Sequence, residues 1–176
     1  MSSLTKIIIL CMLLSLFACA PAPEPELEVD LAAEEQAIRE VIDNNVRGWN
    51  QRDMELFAST IAHDAELVIF GFTADAYFVG WEAFETAVEA MFAEFSDSRL
   101  TVSDLRVNVL PDGKLAWATC LWDWQATMGE QVLQLSGGRW TLVLEKRETG
   151  WVIVHYHDSI GMAAEEEGEP EESEEG

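Results

Sequence analysis

Between residues 33 and 51, apolar side chains recur every three or four positions: Ile38, Val41, Ile42, Val46 and Trp49 fall on one side. Glu34 and Glu35 sit at the start of this stretch and Arg47 and Arg52 near its end, the charge order that a helix dipole favours. Period and charge therefore agree on an amphipathic helix. Asp53 can cap a second, short helix running to about Ile61, with Leu56, Phe57 and Ile61 on its buried side. Residues 66–70 read as a strand and 71–80 as a loop with a short extended piece at 77–79. Trp81, Phe84, Val88, Met91, Phe92 and Phe95 then form the apolar stripe of a third helix, opposite Glu82, Glu85 and Glu89.

After Phe95 the apolar period changes from about 3.6 to 2. Residues 99–110, 114–128, 131–146 and 151–160 read as four long strands. Pro111-Asp112-Gly113, Met128-Gly129-Glu130 and Glu148-Thr149-Gly150 supply turn chemistry between them, so an antiparallel meander is expected. Helices precede strands, which predicts an α+β fold with three N-terminal helices packed on a mainly antiparallel sheet.

Alternation sorts the faces of that sheet. Ala116, Ala118, Cys120, Trp122, Trp124 and Ala126 share one face, with Trp140, Leu142 and Leu144 beside them. On the last strand the even set Val152, Val154, Tyr156, Asp158 and Ile160 is expected to join them under the helices. The opposite face mixes Trp117, Thr119, Leu121 and Asp123 with Arg139, Thr141, Val143 and Glu145, and with Trp151, Ile153, His155, His157 and Ser159. Two Trp among polar residues suit a partly wet interface better than bare solvent, so a homodimer through this face is expected.

The N-terminus adds a destination. Lys6 precedes an apolar run from Ile7 to Leu14, which leads into Leu16-Phe17-Ala18-Cys19. The run is about ten residues, half of the roughly 20 that a membrane-spanning helix needs, so it reads as a signal peptide over 1–18. Cleavage after Ala18-Cys19-Ala20 would instead release a secreted protein. Residues 19–32 carry Pro21, Pro23 and Pro25 among Glu24, Glu26 and Glu28, an extended, self-repelling tether. Residues 163–176 hold eight Glu and no basic residue, a tail that cannot bury enough apolar surface to order itself. The formal charge of −23 and the lack of a basic stripe exclude nucleic acid as a partner. With only Cys19 and Cys120 left after processing, the domain over 33–162 relies on its core instead of disulfides.

Leu16-Phe17-Ala18-Cys19 resembles the lipobox of bacterial lipoproteins, which implies a lipid on the Cys19 sulfur and an envelope anchor. The Ala20 that follows implies, by the same resemblance, the outer membrane facing the periplasm in a Gram-negative cell. The ordered motifs carry a second resemblance. Gly48-Trp49-Asn50-Gln51-Arg52-Asp53, His63-Asp64-Ala65, Val79-Gly80-Trp81-Glu82-Ala83-Phe84, Gly138-Arg139-Trp140-Thr141 and Gly150-Trp151-Val152-Ile153-Val154-His155-Tyr156-His157-Asp158-Ser159 follow one another in sequence. Over about residues 33–162 they resemble the nuclear transport factor 2-like superfamily, its SnoaL-like branch, and the association domain of calcium/calmodulin-dependent kinase II. The resemblance implies a cone-shaped, cystatin-like arrangement in which a curved sheet closes over the helices and leaves a cavity. Ketosteroid isomerase chemistry is not carried over, because the first helix has no Tyr and Ile69 stands where the isomerase base would be.

Trp49, Phe70, Tyr77, Phe84, Trp122, Trp124 and Tyr156 are the aromatic candidates for lining that cavity, against the alternative that they are simply core. Asp158 falls on the apolar face beside Tyr156, where desolvation raises a carboxyl pKa and suits an acid or base; the competing reading is a solvated rim residue. His155 and His157 project the same way along a strand, as metal ligands would, with Asp123 and Glu145 as further guesses; the set is incomplete, so structural or interface packing is the first reading and no metal is expected. Cys120 reads as a small buried hydrophobe and His63-Asp64 as a capping loop. No cofactor is expected. The first expectation is a tethered, non-catalytic domain that binds a small apolar or aromatic ligand or serves as a dimeric module. The alternative is a lyase, isomerase or hydrolase with Asp158 as acid or base and Tyr156 as hydrogen-bond donor.

Overall fold

The computed structural model describes residues 29–161. Cys19, the tether up to residue 28 and the acidic tail lie outside the described residues. Three helices, α1 (Leu31–Gln51), α2 (Met54–Ala58) and α3 (Trp81–Glu94), pack on one sheet. Its strands are β1 (Val68–Phe70), β2 (Tyr77–Val79), β3 (Phe95–Val109), β4 (Leu115–Met128), β5 (Gln131–Arg147) and β6 (Gly150–Ile160). They lie in the order β2-β1-β6-β5-β4-β3, with β1 parallel to β6 and every other pair antiparallel. The α+β class and the meander expected from the alternating pattern are both present.

Local chemistry fixes the helical layer. Asp30 caps α1 by accepting from the Ala33 N–H at 3.1 Å, and Asp53 caps α2 by accepting from Leu56 at 3.0 Å. Between the caps Arg52 turns the chain with a left-handed φ of 55°. A Cβ on Gly48 would come within 2.7 Å of the Phe57 nitrogen, so glycine lets α1 and α2 touch. Asn50 then ties α1 to the sheet: its amide donates to the Leu100 carbonyl at 2.8 Å and accepts from the Leu100 N–H at 2.5 Å, filling a ladder position on β3.

The sheet curves through four irregularities of register. Two are in β3, where Asp97 and Asp104 both take φ of 52°, as an extra bulge residue in a bent strand does. The third is in β5 opposite Asp123, and the fourth places Val154 of β6 between residues paired with Val143 and Leu144.

The β6 bulge corrects one expectation. A single inserted residue exchanges the two faces of a strand, so odd residues Trp151 and Ile153 face the core before Val154, and even residue Tyr156 does so after it. Trp151 therefore belongs to the interior, 5% exposed, and donates its indole N–H to Glu34 at 2.8 Å. It is not part of an outer interface. Trp117 and Leu121, 45% and 41% exposed, do stand on the outer face. Phe95 is a second correction: α3 ends at Glu94, and Phe95 already has the extended φ of −91° as the first residue of β3. Its ring stays buried, edge-on to Trp124 at 4.9 Å.

Candidate functional site

The concave face of the sheet leaves a cavity against the helices. Asn45 and Trp49 from α1, Phe57 from α2, Leu100 from β3, Trp122 and Trp124 from β4, Trp140 from β5, and Tyr156 and Asp158 from β6 form its wall, and Phe72 reaches it from the β1–β2 loop. About 70 Å³ of it can hold the centres of water-sized molecules.

Register explains the grouping. Cys120, Trp140 and Asp158 are direct neighbours across β4, β5 and β6, and Leu142 and Tyr156 form the next row. Trp140 meets Tyr156 edge-on at 5.5 Å, and Trp49 meets Trp124 in the same manner at 5.9 Å. Phe72, 37% exposed, lies 5.7 Å from Trp122 and 6.4 Å from Trp124. Gly138, paired with Trp122, makes room for the indole: a Cβ there would come within 2.0 Å of the Trp122 ring.

The polar atoms of this wall divide into satisfied and unsatisfied. Trp124 donates to the Ser98 hydroxyl at 2.9 Å, and Asn45 donates to the Thr60 hydroxyl at 2.8 Å. Among the described residues no acceptor reaches the buried indole N–H groups of Trp122 and Trp140. No hydrogen-bond partner reaches the half-buried Asp158 carboxyl among the described residues, and burial raises its pKa from 3.8 to about 7. Near neutral pH both its forms are populated, as an acid or base needs. Burial, then the Asp158 charge, push the Tyr156 phenol well above 10 and keep it a neutral donor. The same two causes raise the Cys120 thiol to about 12, so it is a buried hydrophobe and not a nucleophile.

Of the residues singled out from the sequence, Trp49, Trp122, Trp124, Tyr156 and Asp158 come together at this wall. Phe84 lies one layer deeper, fully buried against Tyr156 at 5.7 Å. Phe70 and Tyr77 are elsewhere, which corrects the expectation that they line the cavity. In β1 the buried residue is Ile69, opposite Tyr156; its neighbour Phe70 therefore points outward and stacks on Tyr77 at 5.0 Å. These rings are 42% and 56% exposed. Asn45, Phe57, Phe72, Leu100 and Trp140 were not singled out for the cavity. Asn45 carried a legible signal, a polar residue in register with Ile38 and Ile42 on the apolar stripe; Phe72 lies in a loop with no period to read.

His155 and His157 both pack edge-on against Phe70, at 6.0 and 5.7 Å, and a ring nitrogen of His155 is bonded to the Val68 carbonyl at 2.7 Å. Asp123 accepts from the Gly137 N–H and Glu145 from Arg147. Among the described residues no three His, Cys, Asp or Glu side chains group as a metal site. The His63-Asp64 pair closes the loop before β1: His63 stacks on Trp81 at 4.1 Å, and Asp64 takes both Arg147 guanidinium nitrogens, which hold its carboxyl below the usual range.

The family model for the SnoaL-like domain matches residues 38–164. No curated protein has a sequence that matches the chain. Among solved structures, a nuclear transport factor 2-like superfamily protein from Salmonella enterica is 22% identical, with a TM-score of 0.69 over 79% of this chain and 99% of that one. A protein from Streptomyces avermitilis, provisionally described as a dehydratase of the NTF2-like family, is 15% identical, with a TM-score of 0.68 over 76% and 99%. One from Xanthomonas campestris, provisionally described as a calcium/calmodulin dependent protein kinase II association domain, is 16% identical, with a TM-score of 0.63 over 82% and 100%. At these identities the likeness is one of fold.

Proposed function

We propose, for a chain that belongs to the SnoaL-like domain family, that its aromatic cavity binds a small molecule with a flat or apolar body. The observation carrying this reading is the half-buried Asp158 carboxyl set among Trp49, Phe72, Trp122, Trp124 and Trp140 on one aromatic wall. Burial disfavours the charged form of that carboxyl, and a bound molecule that meets it offsets that cost. Binding without catalysis is the first reading.

A second reading is acid–base catalysis. Its specific support is an Asp158 carboxyl near neutrality beside the Tyr156 donor, two groups within one cavity as a lyase, isomerase or hydrolase requires. The fold neighbour described as a dehydratase makes that reading worth testing. The experiment is a screen of small aromatic compounds by Trp fluorescence, followed by Asp158→Asn. A binding domain retains most affinity for a neutral ligand in the variant, whereas an enzyme loses orders of magnitude in turnover. A chain that binds none of the compounds overturns the cavity reading.

Two further proposals rest on the sequence. Cys19 carries a lipid that holds the domain at the cell envelope, on the strength of the lipobox resemblance. A homodimer forms through the outer face, supported by exposed Trp117 and Leu121 and by an association-domain description among the fold neighbours.

A further inference from the structure

We infer that the molecule this cavity takes is an organic cation: a tertiary or quaternary ammonium on a small aromatic or alkyl body, its charged head against the Asp158 carboxylate and among the aromatic rings. The inference rests on the binding reading above and adds the charge of the ligand.

The wall of the cavity contains one carboxyl, one phenol and no Lys, Arg or His. An anionic ligand would find no counter-charge there and would meet Asp158. A neutral ligand could donate a hydrogen bond to the carboxylate but would bring no counter-charge. A cation alone supplies what the site lacks, since no donor among the described residues reaches Asp158. The titratable groups nearest it, Cys120 on β4 and Tyr156 on β6, stay neutral in the relevant range. The helices facing it contribute Asn45, Trp49 and Phe57, none of which is charged.

Ring placement favours the same class. Trp49, Trp122, Trp124 and Phe72 form a chain of contacts with neighbouring centroids 5.7–6.4 Å apart. An ammonium head within about 6 Å of a ring centroid is attracted by the negative face of the π-system, most strongly by Trp. Quaternary ammonium recognition relies on such clusters because the methylated head sheds water readily and has no N–H to satisfy. Outside the cavity the chain's net charge of −23 raises the local concentration of cations and lowers that of anions.

The test uses three probes of nearly equal size on the full chain: benzyltrimethylammonium, its uncharged isostere neopentylbenzene, and phenylacetate. Affinities are read by Trp fluorescence and calorimetry from pH 5.5 to 8.5. At pH 8 the cation is expected to bind at least about tenfold more tightly than the isostere, with phenylacetate weakest. The cation's affinity is expected to rise with pH as Asp158 ionises, and Asp158→Asn is expected to bring cation and isostere to within about threefold. The pH series keeps the test decisive should that variant fold poorly. Equal binding of isostere and cation overturns the charge inference and leaves the cavity reading standing. Cation binding that is unchanged in Asp158→Asn and flat with pH overturns it as well, since it reports only attraction to an acidic surface. Failure of all three probes overturns this inference, and the cavity reading then stands or falls on the wider screen.

Discussion

Asp158→Asn has a stability consequence that needs no ligand. Its carboxyl titrates near 7 in the folded chain against 3.8 ordinarily, so between those values the native state binds more protons than the unfolded chain. Stability from this group is therefore fullest at low pH and falls as pH rises through about 7. The difference corresponds to about 4 kcal/mol at pH 9, where the folded carboxyl is ionised, and to about 2 kcal/mol at pH 5. Glu34 and Asp64, whose pKa values are lowered by their partners, act in the opposite direction, being lost as pH falls. They are common to both proteins and cancel. Urea unfolding of wild type and Asp158→Asn at pH 5, 7 and 9 gives the difference directly. The variant is expected to gain about 2–3 kcal/mol relative to wild type between pH 5 and pH 9; any packing cost of the amide shifts all three points equally. A difference that stays constant over this range would falsify the assignment of a half-buried carboxyl whose charged form is disfavoured.

Gly138→Ala forces a methyl against the Trp122 ring, 2.0 Å away in the present arrangement, and is expected to cost about 1–3 kcal/mol or more and to weaken cavity binding. Gly137→Ala is the control: nothing lies within 4 Å, but its φ of +71° costs about 1–2 kcal/mol with the cavity unchanged. Trp151→Ala is expected to lower stability by about 3–5 kcal/mol in denaturation without altering self-association. Trp117→Ala is expected to do the reverse, weakening the dimer in sedimentation; a wild-type chain that sediments as a monomer at micromolar concentration contradicts the dimer. Cys19→Ser is expected to abolish acyl labelling and membrane association while leaving the domain folded.

Much of the cavity was legible because β4 alternates cleanly. Ala116 to Ala126 are buried at every even position and exposed at every odd one, which locates Trp122 and Trp124. In β6 the run Val152-Ile153-Val154 is apolar in both parities, and the bulge at Val154 carries no glycine to announce it. Alternation counted back from Tyr156 therefore put Trp151 on the wrong face, while Asp158, beyond the bulge, came out correctly. Phe70 failed for a different reason: three-residue β1 offers too little pattern to choose a face, and pairing with β6 makes the choice. Phe95 reads as helical because its spacing fits the stripe of α3, yet no loop separates that helix from β3. Bulges, short strands and loop residues such as Phe72 depend on tertiary pairing, and single-residue periodicity does not encode them.

The most direct measurement is a crystal structure of the full chain grown with the tightest-binding aromatic compound from the fluorescence screen. Density for the compound is expected among Phe72, Trp122, Trp124 and Asp158, in contact with the carboxyl. Density instead on the outer face beside Phe70 and Tyr77, with the cavity wall unchanged, would contradict the central claim.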